Sequence, residues 1–175
     1  MRRHIETVSN VIVIVVGIVV LYTIGIRYLH TGALPEALKP GARLPDAQQA
    51  EIRDTPFTLL IFLRKGCHFC DESLPFYQRL GSALSSSGKK VKLLVLFPNS
   101  DADDARILKE GGAEVAYSAD VDFNRFNVSG TPTLIFVDRT GTIQNSWVGK
   151  IPVERERAVI ATIVSTAGQG LKAIN

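Results

Sequence analysis

Charged side chains are missing from Val8 to Ile26, where an almost wholly aliphatic run surrounds Gly17. As a helix rising about 1.5 Å per residue, the run reaches roughly 28 Å, the hydrocarbon thickness of a bilayer. The pattern predicts a membrane span over residues 8–26 behind a short tail, residues 1–7. The competing reading is a cleaved signal peptide, but such apolar regions are shorter, roughly 7 to 15 residues, and Thr31-Gly32-Ala33 is a poor cleavage site. Pro35, Pro40, Gly41 and Pro45 then mark a tether, drawn as a linker over residues 27–38, leading into a domain over residues 39–175.

Within the domain the period changes from element to element. Phe57 to Leu63 is a continuous apolar run of strand length, as expected of a central strand buried on both faces. Leu74, Tyr77, Leu80 and Leu84 recur at helical spacing between Asp71 and Ser86, with Pro75 inside and expected to kink the helix. Lys89 to Phe97 reads as a second strand stopped by Pro98. A helix follows from Asp101 to Glu110, ended by Gly111-Gly112. The pattern then weakens to a short strand at Glu114 to Tyr117 and a helical turn at Asp120 to Phe126. A strand from Thr133, a turn at Asp138 to Gly141, a returning strand at Thr142 to Val148 and a helix from Pro152 to about Thr166 complete the chain. Val153, Ala158, Ile160, Ala161, Ile163 and Val164 are expected to form the apolar side of that last helix. The expected class is α/β.

Both cysteines stand in Arg64-Lys-Gly-Cys-His-Phe-Cys70, directly after the first strand and at the mouth of the first helix. That placement is the sequence signal for dithiol–disulfide exchange. Free N–H groups and the positive dipole end of a helix favour a thiolate at Cys67, the expected attacking residue. Cys70, one turn deeper on the same face, is the expected resolving thiol, able to attack a mixed disulfide and release the partner. Protonated His68, with Lys65 and Arg64 nearby, would stabilise the thiolate and make the disulfide more oxidising. Thr131-Pro132 precedes a strand whose ladder a proline cannot join, so it reads as a turn-to-strand junction and a candidate cis peptide.

Charge and composition add limits. The formal net charge is +3 over 175 residues with no basic cluster, which points away from nucleic acid. Arg2 and Arg3 lie before the span, Arg27 just after it and Lys39 and Arg43 further on; a span so near the N-terminus behind two arginines most simply leaves a short tail inside and exports the domain, hence to an oxidising compartment. Two weaker patterns carry no function. Asn99, Asp101, Asp103 and Glu110 take calcium-loop positions, but Asp104 stands where the turn needs glycine, so an acid-rich helix start is the better reading. Asn127-Val-Ser129 matches the short and frequent glycosylation pattern.

The order of strand, Cys-x-x-Cys, helix with proline five residues after the second cysteine, strand, helix, Val-x-Gly-Thr-Pro-Thr at Val128 to Thr133, hairpin and terminal helix resembles the thioredoxin superfamily. Lys39-Pro-Gly-Ala-Arg-Leu-Pro45 is similar to the entry of its extracytoplasmic TlpA/ResA-like branch, many of whose members carry an N-terminal anchor. The likeness spans roughly residues 39 to 166. It implies a central mixed sheet flanked by helices, with Cys67 attacking and Cys70 resolving. Pro132 would be the cis-proline lying against the disulfide, and the backbone of Thr131 would pair with a bound substrate chain. The departures are Gly66 in place of tryptophan, Ile61 in place of a buried acid, and Ser73 in place of the ResA-like acid, with Glu72 beside it. Proton handling is therefore unassigned. Arg64 occupies the position where a peroxiredoxin has threonine.

The expected protein is a thiol–disulfide oxidoreductase exchanging disulfides with protein cysteines, with reduction the favoured direction. It would be a single-pass inner-membrane protein held through residues 8–26, its domain facing the periplasm or exterior. It would need no metal or organic cofactor beyond its own disulfide, and it would exchange electrons with another redox protein. Two other classes compete. One is copper or zinc handling through Cys67, His68 and Cys70, which lacks a fourth ligand. The other is a binding module with a structural disulfide, which gains little from so short a loop.

Overall fold

Residues 57–62 are buried without exception, and they form β1 (Phe57–Phe62), the centre of a five-stranded mixed sheet. The computed structural model describes residues 12–23, 38–44, 52–98, 115–118 and 121–172. Beside β1 lie β2 (Val91–Leu96), parallel, and β4 (Thr133–Asp138), antiparallel. Outside these lie β3 (Val115–Ser118), parallel to β2, and β5 (Ile143–Val148), antiparallel to β4. The spatial order is β3-β2-β1-β4-β5.

Alternation along β1 makes two cores. Leu59, Ile61 and Leu63 face one way, toward Tyr77, Leu80 and Ile163 of the helices. Leu60 and Phe62 face the other, toward Phe123, Phe126 and Ile135. A strand apolar at every position is what burial of both faces requires.

Helix α1, residues 12–23, belongs to a separate compact unit, residues 1–33. Its aliphatic side chains are exposed, Ile12 at 56 % and Leu21 at 72 %. Among the described residues no helix is long and apolar enough to cross a membrane; the remainder of the expected 8–26 span lies outside them. In the second unit, Leu38 is buried and its carbonyl accepts the Ser146 hydroxyl at 2.6 Å. Arg43 bridges to Thr142, so the entry segment is fastened to the β4–β5 hairpin. In that hairpin Asp138 Oδ1 accepts the N–H groups of Thr140 and Thr142, and Gly141 takes φ +81°.

Helix α2 (His68–Ser86) begins three residues earlier than the periodicity suggested, because Cys67 caps it. It continues through Pro75, with Cys70, Ser73, Tyr77, Leu80 and Leu84 turned inward and Leu74 at the margin. Helix α3 (Val153–Lys172) outruns its expected end at Thr166. Its buried stripe is Val159, Ile163 and Ala167, while Val153 is 70 % exposed and Ala158 and Ala161 are also exposed. The repeat of four from Val159 through Ile163 to Ala167, all buried in the core, carries the apolar stripe beyond Thr166. Glu156 pairs with Arg79 and so joins α3 to α2. The weak region resolves into β3 and a 3-10 turn, Phe123–Phe126. The helix expected at Asp101 to Glu110 and the calcium-loop pattern lie outside the described residues.

Candidate active site

The carboxyl end of β1 delivers the chain to the site. Leu63 extends the ladder by donating to Leu96 O at 3.0 Å, and Arg64-Lys65-Gly66 then turns the chain into α2. Gly66 has φ +69° with nothing within 4 Å of a built Cβ. The turn therefore selects glycine by backbone conformation alone, which accounts for the departure from tryptophan here. Gly66→Ala should lose about 1–2 kcal/mol of unfolding free energy, measured by denaturant titration, with no steric contribution.

Cys67 is the N-cap of α2. Its carbonyl accepts Cys70 N at 2.8 Å and Asp71 N at 3.2 Å, and its Sγ lies 3.3 Å from Cys70 N. The sulfur thus meets a first-turn N–H, which it shares with the Cys67 carbonyl, and the positive dipole end of a long helix, the setting that stabilises a thiolate. Cys67 and Cys70 form a disulfide. Cys67 is half-buried, whereas Cys70 is 4 % exposed. Only the first sulfur can meet a partner.

The Thr131–Pro132 peptide is cis, and it stands against that sulfur. Thr131 Oγ1 donates to Cys67 Sγ at 3.4 Å, and Thr131 O is 3.6 Å from the same atom. Two bonds fix the loop: Thr133 Oγ1 donates to Gly130 O at 2.8 Å, and Gly149 N to Pro132 O at 2.7 Å.

His68 is exposed, its ring 5.7 Å from that of Phe69, and its Nε2 is 3.2 Å from Glu72 Oε1. Lys150 Nζ donates to Glu72 Oε2 at 2.8 Å. That bond, aided by the charges of Lys150 and His68, holds the Glu72 carboxyl below its usual range. Arg64, Lys65 and Asp71 line a cavity of about 50 Å³ beside Cys70. The structure therefore brings Cys67, Cys70, Thr131 and Pro132 together. It places Lys65 at the edge of the resolving cysteine and turns His68 to Glu72. Sequence reasoning missed Lys150, whose approach depends on how the β5–α3 turn folds back, a pairing 78 residues apart that no local pattern encodes.

Of the two positions where the resemblance to thioredoxin and ResA would put an acid, Ile61 is buried in the core. Ser73 is buried too, its hydroxyl donating to Phe69 O at 2.7 Å. The Tyr77 hydroxyl is buried without a hydrogen-bond partner among the described residues. Burial pushes its phenol up, against a smaller opposing effect of the Ser73 hydroxyl, whose proton is already committed to Phe69. Among the described residues no group of three or more His, Cys, Asp or Glu side chains is placed to hold a metal ion.

A disulfide capping a helix at the end of a central strand, with its outer sulfur against a cis-proline loop, defines a thiol–disulfide oxidoreductase of thioredoxin fold. The chain belongs to the thioredoxin-like family: the model of the thioredoxin-like domain matches residues 45–163. Members of this class act on protein thiols and disulfides. Three of the solved structures similar to it show the likeness. A Chlorobium tepidum protein assigned as the thiol:disulfide interchange protein DsbE aligns with TM-score 0.56 at 20 % identity, over 74 % of this chain and 99 % of its own. The thioredoxin domain of a Bacteroides vulgatus thiol-disulfide oxidoreductase gives 0.52 at 15 %, over 73 % and 99 %. A secreted Mycobacterium tuberculosis disulfide oxidoreductase homologous to DsbE gives 0.50 at 16 %, over 66 % and 85 %. At such identities the likeness speaks for the fold. No curated protein matches the chain in sequence.

Proposed function

We propose that the chain is a membrane-anchored, extracytoplasmic thiol–disulfide oxidoreductase of the TlpA/ResA-like type that works as a reductase. The observation carrying the exchange reading is the asymmetry of the pair: an approachable Cys67 capping α2 against Thr131, and a buried Cys70 behind it. Cys67 thiolate attacks a substrate disulfide, and the outgoing cysteine leaves as a thiolate that takes up a proton. Cys70 then gives up its proton and attacks Cys67 Sγ, releasing the second substrate cysteine and restoring the Cys67–Cys70 bond. Two electrons have passed to the substrate, and another redox protein must return them. The backbone of Thr131, beside the reacting sulfur, would hold the substrate chain. His68 and Lys65 would tune the thiolate, and no organic cofactor or metal enters any step.

The anchor is supported by α1, a helix of exposed aliphatic side chains that water would disfavour and lipid would accept. The orientation, with the domain outside, is supported by Arg2 and Arg3 ahead of the span. The reductive direction rests on the TlpA/ResA resemblance.

The test is the reduction potential of the full-length chain in detergent, equilibrated with glutathione. We expect a value near or below about −250 mV; one above about −150 mV would make the protein an oxidant. A chain that never equilibrates would end the exchange reading. Labelling of reduced Cys67 in intact cells by a membrane-impermeant maleimide checks the orientation, and protection of Cys67 would reverse it.

A further inference from the structure

Glu72 sits one turn into α2 and holds two basic side chains from different elements, His68 and Lys150. Its Oε1 is 3.2 Å from His68 Nε2, and its Oε2 accepts Lys150 Nζ at 2.8 Å. Lys150 belongs to the β5–α3 turn, and the neighbouring Gly149 N–H is the donor to Pro132 O. One carboxylate therefore links the residue between the two cysteines to the turn behind the cis-proline. All three side chains remain solvent-accessible, His68 at 78 %, Glu72 at 37 % and Lys150 at 38 %.

We propose that Glu72 is the counter-charge of the exchange site, a positioning residue that offsets His68 and Lys150 and thereby holds the Cys67–Cys70 couple on the reducing side. The inference rests on the exchange reading above and supplies a physical cause for its direction. Reducing the couple breaks the Cys67–Cys70 bond and leaves thiolate character on Cys67, so each nearby cation favours the reduced form and each anion opposes it. The helix mouth is already net positive: the Cys70 N–H at the start of α2 meets the sulfur, and Arg64 and Lys65 in the turn before it outnumber the one first-turn acid, Asp71. Adding an uncompensated Lys150 and a protonated His68 would drive the disulfide toward an oxidant. Glu72 prevents this by pairing with both. Because the groups are exposed, the expected effect is about two- to fivefold in the equilibrium constant, and it should shrink with added salt.

The experiment equilibrates the full-length chain in detergent with reduced and oxidised glutathione. Two glutathione thiols supply the two electrons and leave as glutathione disulfide, and alkylation reads the fraction of reduced protein. Glu72→Gln should shift the equilibrium two- to fivefold toward the reduced protein at low salt, and Lys150→Gln by a similar factor the opposite way. Glu72→Asp should stay near wild type, and 1 M sodium chloride should erase most of both shifts. A merely mechanical link between α2 and the turn would move Glu72→Gln and Lys150→Gln in the same direction. That result, or no shift in either, overturns the proposal while leaving the exchange reading intact. A wild-type chain that does not equilibrate overturns both.

Discussion

Cys67→Ser will reduce disulfide exchange to the uncatalysed level, while Cys70→Ser will perform the first attack and stop there, covalently joined to its substrate. The difference follows from exposure. Cys67 is the sulfur a partner can meet, and it receives the first-turn donor of α2 and the Thr131 hydroxyl; serine at this position offers a far weaker nucleophile at neutral pH. Cys70, 4 % exposed, cannot stand in for it. With Cys70 replaced, nothing remains to cleave the mixed disulfide, which should accumulate as a conjugate of increased mass. Non-reducing electrophoresis and intact-mass spectrometry against a disulfide-bonded protein substrate check both outcomes. Residual turnover in Cys67→Ser, or a conjugate formed by Cys67→Ser and not by Cys70→Ser, would reverse the assigned roles.

Phe62→Ala should remove about 3–5 kcal/mol of stability. The ring is completely buried at the last residue of β1, edge-on to Phe123 at 5.2 Å and to Phe126 at 5.0 Å. Its loss leaves a cavity between a central strand and the 3-10 turn, and that turn leads through Val128 to the cis-proline loop. Denaturation by urea, followed through the single tryptophan, Trp147, should show a midpoint lowered by roughly 1.5–2.5 M if the slope is near 2 kcal/mol per molar. Phe62→Leu should recover more than half of the loss, because it refills most of the volume. An alanine variant within 1 kcal/mol of wild type would mean that the turn collapses onto the strand and that the loop is held by other contacts.

The elements legible in the sequence were those whose pattern is local. Phe57 to Phe62 is apolar throughout because both of its faces are covered, and the Thr131–Pro132 junction announced itself because proline cannot join a ladder. The cysteine pair needed only its place between strand and helix. Other features depend on what packs against them. Of the apolar side expected for α3, Ile163 is in the core and Ile160 and Val164 pack against it, whereas Val153, Ala158 and Ala161 are exposed and the sheet selects Val159 and Ala167 instead. Apolar composition alone did not separate two overlapping helical faces. Lys150 was invisible because its partner lies on another element, and the Thr131 hydroxyl acquired its contact with Cys67 only through the turn that positions it. Gly66 was noticed as a departure, but its cause is a torsion angle.

The half-buried Cys67 and the sealed Cys70 also limit how electrons can travel. With one reachable sulfur, the protein that reloads the pair and the protein that draws on it need the same atom. They cannot both be joined to the chain at once, so no assembly of three can pass electrons straight through. Turnover becomes a strict alternation of visitors, and an excess of either one blocks the other. In steady state the rates should fit parallel double-reciprocal lines, with substrate inhibition by whichever partner is in surplus.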